Sequence, residues 1–252
     1  MPARLTASAR RPQASGAWRR AGACALGLAL LAGAARAQVA GTLGIDSVNR
    51  YRGTGTDDVG PVLRASAMLD TPWGAYGGVS GLWRTRDGGL ASADAMLGWS
   101  GRLNTLAALD SVAPDWGWDA GVHRTHYGES GRYDFSELML GLLAPGAALR
   151  TWYAPRYFGG RSHTLYTELD ASHAFDEHWH AFAHLGWLHY GPAPAYQART
   201  PDRADTLVGI GWTMHAWELR LSRDGIVSGQ ARPDIDARRR RAAWILGGSV
   251  AF

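Results

Sequence analysis

From Val39 to Phe252, apolar side chains recur at every second position, in segments of about 10 to 13 residues. A period of two belongs to β-strands, whose successive side chains point to opposite faces. Twelve such segments follow one another. In the first, Val39, Leu43, Ile45 and Tyr51 share one face, and Thr42, Asp46, Arg50 and Arg52 share the other. Leu63 and Leu69 then oppose Arg64 and Asp70, Trp73 and Val79 oppose Tyr76 and Ser80, and Leu97 and Trp99 oppose Asp94. The later segments set Asp119 and His123, Glu137, Arg150 with Arg156, Glu168 with Asp170, Asp205, and Glu218 with Arg220 against Val, Leu, Ile and Trp. Strands of sandwiches average about 5 to 6 residues, whereas segments this long suit a tilted crossing of a bilayer. Lipid offers no water to an open sheet edge, so such strands must close on themselves. The expectation is an all-β chain, a closed antiparallel transmembrane β-barrel of about twelve strands.

Residues 1–37 stand apart. Arg19 and Arg20 precede an apolar run from Ala21 to Ala35, and Ala35-Arg36-Ala37 supplies a small-x-small cleavage pattern. This reads as a secretory signal peptide, cleaved to leave a barrel at 38–252. Arg4, Arg10, Arg11, Arg19, Arg20 and Arg36 lie within it, whereas all 22 acidic residues lie beyond it. The formal charge of +4 therefore belongs to the precursor, and the remainder carries a net of about −2. Nucleic acid is not an expected partner. The single cysteine, Cys24, also falls in the signal, which leaves neither a disulfide framework nor a thiolate metal site.

The connections alternate in length. Those at Asp70–Pro72, Ala144–Ala147, Phe175–Glu177 and Met214–His215 are short and are expected to face the periplasm. Those at Gly53–Gly60, Arg84–Leu90, Tyr127–Arg132, Gly191–Asp202 and Asp224–Arg240 are longer and are expected outside. A linker at Gly101–Asp115 interrupts the pattern. Trp73, Trp83, Trp99, Trp116, Trp179, Trp187, Trp212, Trp217 and Trp244 read as interfacial belts. Phe252, with Leu246 and Val250 at alternate positions before it, is an ending of the kind read by barrel-assembly machinery.

The opposite face carries the candidate functional residues. Asp46, Arg50, Arg52, Arg64, Asp94, Asp119, Glu137, Arg150, Arg156, Glu168, Asp170, Asp205, Glu218 and Arg220 are expected to line the lumen. They read either as cross-strand ion pairs filling a narrow interior or as opposing charge rings of a pore. His178, His180 and His184 share a face, but His184 lies about 13 Å along the strand from His180, too far for one ion. No metal or cofactor is expected. Ser162 and His163, as neighbours on one strand, would point to opposite faces and cannot pair as nucleophile and base. Arg238–Arg241 presents adjacent guanidiniums suited to lipopolysaccharide phosphates or to solvent.

Several short motifs resemble the proteobacterial outer-membrane family known as the TorF family porins. They are Tyr51-Arg52-Gly53, then Gly74-Ala75-Tyr76-Gly77-Gly78 with Trp83, then Tyr133, Glu137 and Gly141, and finally Tyr166-Thr167-Glu168-Leu169-Asp170. The resemblance implies outer-membrane placement and a porin role, and carries no substrate and no catalytic residues. A non-enzymatic passive channel for small solutes or ions, in contact with outer-membrane lipids and lipopolysaccharide, is the leading expectation. A non-conducting structural or surface-interaction barrel and a lipid-modifying enzyme are the alternatives.

Overall fold

A computed structural model describes residues 38–252 except 53, 56–59, 106–114, 129–130, 161, 193–201 and 229–241. The strands are β1 (Gln38–Asp46), β2 (Arg50–Tyr51), β3 (Thr54–Gly55), β4 (Val62–Asp70), β5 (Ala75–Arg84), β6 (Leu90–Arg102), β7 (Gly117–Tyr127) and β8 (Phe135–Ala144). They continue as β9 (Ala147–Ala154), β10 (Thr164–Ala174), β11 (Trp179–Tyr190), β12 (Arg203–Met214), β13 (Trp217–Ser228) and β14 (Trp244–Ala251). Apart from β2 and β3, which pair only with each other, each strand is antiparallel to its chain neighbours, and β14 returns to β1. The twelve strands therefore form a closed barrel with no free edge, as the alternating pattern requires.

The seam is held by a regular register from Thr42↔Ala251 to Asp46↔Gly247. Phe252 extends it: its N–H donates to Gly41 O at 3.0 Å, and Gly41 N–H returns a bond to Phe252 O at 2.8 Å.

At one end the turns are short because particular residues make them so. Gly146 (φ 72°) and His215 (φ 56°) take the left-handed backbone that two-residue hairpins use. Asp176 accepts the N–H groups of His178 and Trp179, each at 2.7 Å, in the turn before β11. Those two donors hold its carboxyl below the ordinary aspartate range. The linker between β6 and β7 is shorter than its sequence suggested: Gly101 and Arg102 still pair in β6, opposite Trp118 and Gly117.

Side-chain alternation gives the wall two unlike faces. Leu97 (66 % exposed), Leu140 (65 %) and Leu246 (62 %) stand among many exposed Leu, Val and Ile on the outside. Trp73, Trp99, Trp116, Trp179 and Trp217 ring this apolar band at the short-turn end, with Tyr153, Trp187 and Trp244 at the other. Buried groups lie instead on the inner face. Phe135, Ala154, Tyr157, Tyr166 and Leu188 form the buried cluster, with Tyr51, Tyr127, Trp152, Phe158 and Tyr190 packed against it.

Candidate functional site: the barrel lumen

The chain leaves β1 at Asp46 and turns back as the β2–β3 hairpin, with Arg50 opposite Gly55 and Tyr51 opposite Thr54. Arg52, at its tip, is left-handed (φ 47°). Its guanidinium donates from both Nη atoms to both carboxylate oxygens of Glu137 on β8, at 2.8 and 2.7 Å. The same group lies 4.3 Å from the Tyr166 ring centre, 5.0 Å from Tyr51, 5.6 Å from Tyr157 and 5.9 Å from Trp152. Planar, weakly hydrated guanidinium suits both the carboxylate fork and aromatic faces. From the other side of the hairpin, Arg50 Nε lies 2.7 Å from Asp224 Oδ2 on β13. The hairpin is thus anchored to two well-separated parts of the wall and narrows the lumen. This corrects the expectation that Arg50 and Arg52 continue the face of β1. They keep its period, but the strand stops at Asp46.

Along the wall, carboxylates and cations meet across strands. Asp46 pairs with Arg64 at 2.6 Å and lies 3.5 Å from Arg220. Glu218 faces His180 at 3.2 Å and Arg220 at 3.7 Å. Arg150 binds Asp119 at 3.1 Å and approaches Asp170 at 3.9 Å. Asp94 accepts from Thr125 at 2.8 Å and faces His123 at 3.4 Å. Glu168 accepts a bond from Trp152 Nε1 at 2.8 Å, and Asp205 accepts one from the Tyr166 hydroxyl at 3.2 Å. Arg156 is the exception: it follows Pro155, beyond the end of β9, and is exposed.

One lumenal carboxylate is not singled out from the sequence. Asp224, assigned there to an outer loop, lies within β13 and is buried; its phase with Glu218, Arg220 and Ser222 was the available signal. His184 is placed between Asp170 (Nδ1 to Oδ1, 2.7 Å) and Asp205 (Nε2 to Oδ1, 3.0 Å). His178 instead approaches the Thr213 carbonyl oxygen at 3.0 Å, so the three histidines have separate surroundings. Among the described residues, the group whose ligand atoms do converge, within 4.8 Å of one another, is Glu168, Asp170 and His184. Ser162 and His163 occupy the connection before β10 rather than a strand.

Below the hairpin is a cavity of about 710 Å³. Its lining includes Arg50, Arg52, His123, Trp152, Tyr166, Glu168, Asp170, Phe182, His184, Asp205 and Asp224. Arg52, Tyr166 and Glu168, which carry part of the sequence resemblance, line this cavity, and Glu137 joins them through its bonds to Arg52, although they lie far apart in the chain.

Two hairpins are fastened by the same device. At the end of β7, His126 Nδ1 donates to Asp134 Oδ2 at 2.9 Å, and Tyr127 N–H donates to Asp134 Oδ1 at 3.0 Å. At the end of β11, His189 Nδ1 donates to Asp202 Oδ2 at 2.7 Å, and Tyr190 N–H donates to Asp202 Oδ1 at 3.1 Å. Each tyrosine turns inward onto the aromatic cluster. Each following glycine donates its N–H to a neighbouring segment, Gly128 to Ala91 O at 3.2 Å and Gly191 to His163 O at 2.9 Å. A Cβ at Gly128 would strike the Leu90 carbonyl, and one at Gly191 the His163 ring. The tripeptide His-Tyr-Gly occurs at both places in the sequence, a repeat that the alternation hides.

No family model matches the chain, and no curated protein matches it. Solved structures do. The KdgM porin is similar at a TM-score of 0.53 with 10 % identity, covering 84 % of this chain and 99 % of that one. The KdgM porin in complex with disordered oligogalacturonate gives 0.52 and 9 %, covering 85 % and 99 %. The NanC porin gives 0.52 and 8 %, covering 84 % and 99 %. At these identities the likeness is one of fold: a closed β-barrel of the kind these porins adopt.

Proposed function

We propose that this chain is a narrow passive channel of the bacterial outer membrane, admitting small solutes or ions. The observation that carries the reading is the pairing of an apolar outer wall with a charged lumen that retains a cavity of about 710 Å³. An apolar band with aromatic girdles belongs in a bilayer, and a barrel filled only for stability has no use for such a space. The likeness of fold to the KdgM and NanC porins and the TorF resemblance agree with it. In this reading residues 1–37 are the export signal, Phe252 is the element read by assembly machinery, and the outer connections meet lipopolysaccharide. The Arg238–Arg241 run invoked for that contact lies outside the described residues. The β2–β3 hairpin is the constriction.

A second reading, a plugged structural barrel, draws on the two ion pairs that fix this hairpin. Single-channel recording of the refolded protein in a planar bilayer separates the two. Discrete conductance steps support the channel. Silence from protein shown by heat-modifiable gel migration to be folded supports the plug. KdgM has been solved with oligogalacturonate, a polyanion; the acidic wall of this lumen makes a poor path for such a solute.

A further inference from the structure

The cavity under the hairpin is flanked by both signs of charge, but the two signs are not equally committed. Arg52 is spent on Glu137 through both Nη atoms. Arg50 faces Asp224 at 2.7 Å, and Arg150 is bound to Asp119 at 3.1 Å. Each of these cations is neutralised at contact distance by a carboxylate of its own. Among the described residues that line the cavity, this leaves Glu168, Asp170 and Asp205. Glu168 takes its bond from a neutral donor, Trp152 Nε1. Asp205 takes one from the neutral Tyr166 hydroxyl. Asp170 is 44 % exposed to the space, with Arg150 no nearer than 3.9 Å. His184 lies between Asp170 and Asp205, and even as an imidazolium it sets one positive charge against three carboxylates.

A surplus of one sign on a low-dielectric wall concentrates the opposite ion in the space before it. The Debye length at 0.1 M salt is about 10 Å, so an ion in the cavity beside Glu168, Asp170 and Asp205, which line it, feels their charge with little screening. We infer that the channel prefers cations, and that Glu168, Asp170 and Asp205 are its selectivity-determining residues. The inference rests on the channel reading above. It differs from a balanced ion-pair ladder, which would give no preference, and from an arginine-governed pore, which would prefer anions.

The test is the reversal potential of the refolded protein in a planar bilayer under a KCl gradient. A sign showing K⁺ more permeant than Cl⁻ is expected, and Asp170→Asn is expected to lower the permeability ratio about twofold or more. Asp87→Asn, an exposed carboxylate of the β5–β6 connection paired with Arg84, serves as control and is expected to leave the ratio unchanged. A conductance with no preference, or with Cl⁻ preferred, overturns the inference while leaving the channel intact. An unchanged ratio in Asp170→Asn, or an equal fall in Asp87→Asn, overturns the assignment to this wall. Folded protein that does not conduct overturns the channel reading and this inference with it.

Discussion

Arg52 and Glu137, 85 residues apart in sequence, share two hydrogen bonds of 2.8 and 2.7 Å, with side-chain exposures of 7 % and 0 %. Removing one partner of such a pair leaves a buried charge without its counter-ion, at a cost of about 3–5 kcal/mol. Arg52→Ala is expected to lower the urea midpoint of unfolding and, by freeing the hairpin, to raise single-channel conductance. The double variant Arg52→Ala/Glu137→Gln is expected to regain part of the stability while keeping the larger conductance. A double-mutant cycle in urea, with conductance read on the same four proteins, checks both.

The hydroxyl end of the Tyr166 side chain lies over Gly186 on the next strand. A Cβ there would fall on the phenol ring and within 2.8 Å of Asp205 Oδ2. Gly186→Val is therefore expected to displace the ring and destabilise the barrel by about 1–3 kcal/mol, as overpacking does elsewhere. Its readout is the urea midpoint, compared with Gly60→Ala, where no atom lies within 4 Å of the added carbon.

Acid should release the β7 clasp late. The His126 ring, the Tyr127 N–H and Arg124 hold the Asp134 carboxyl below the ordinary aspartate range. A carboxyl whose value is depressed in the folded state stabilises fully above its unfolded value, about 3.9, and loses that contribution as pH falls through the lower folded value. Hydrogen exchange at the Tyr127 amide is expected to stay slow from pH 7 to pH 5, after correction for intrinsic rates. It is expected to become fast only below the ordinary carboxylate range. Asp134→Ala should show fast exchange throughout.

The outer wall sets a depth-dependent expectation. Leu140, in the middle of β8, is 65 % exposed on the apolar band. Leu140→Arg is expected to cost about 2–4 kcal/mol when the barrel unfolds from lipid, against about 0–1 kcal/mol for a substitution near the interface. Reversible unfolding from phospholipid vesicles, with Trp244→Arg as the interfacial comparison, measures the difference.

The wall was readable from the sequence because the pleat and the two solvents impose one rule on every strand. Leu138 and Leu140 face out and Glu137 faces in for the same reason that Leu219 and Glu218 do. The same rule misled where it outran the strand. Arg50 and Arg52 stay in phase with Asp46, yet the strand has already ended, and Arg52 adopts a backbone that no strand contains. Arg156 stays in phase with Arg150, but Pro155, which lacks an N–H to donate, follows the last residue of β9. In the opposite direction, Asp224 was assigned to a loop although its phase matched β13. The partners Arg52–Glu137 and Arg50–Asp224 join positions that only closure of the barrel brings together, so no local pattern announces them.

The two His-Tyr-Gly clasps bear on how a wall of this kind is inherited. The histidine, tyrosine and aspartate of each belong to one continuous stretch of chain, within 117–144 for β7–β8 and within 179–214 for β11–β12, and only the glycine reaches a neighbouring segment. A hairpin that brings its own clasp is a transferable unit. Copying or losing one alters the circumference by two strands and keeps their number even, so the seam still closes antiparallel. Lumen width in such a lineage changes in discrete steps, one hairpin at a time, while the residues that tie each pair of strands together travel with it.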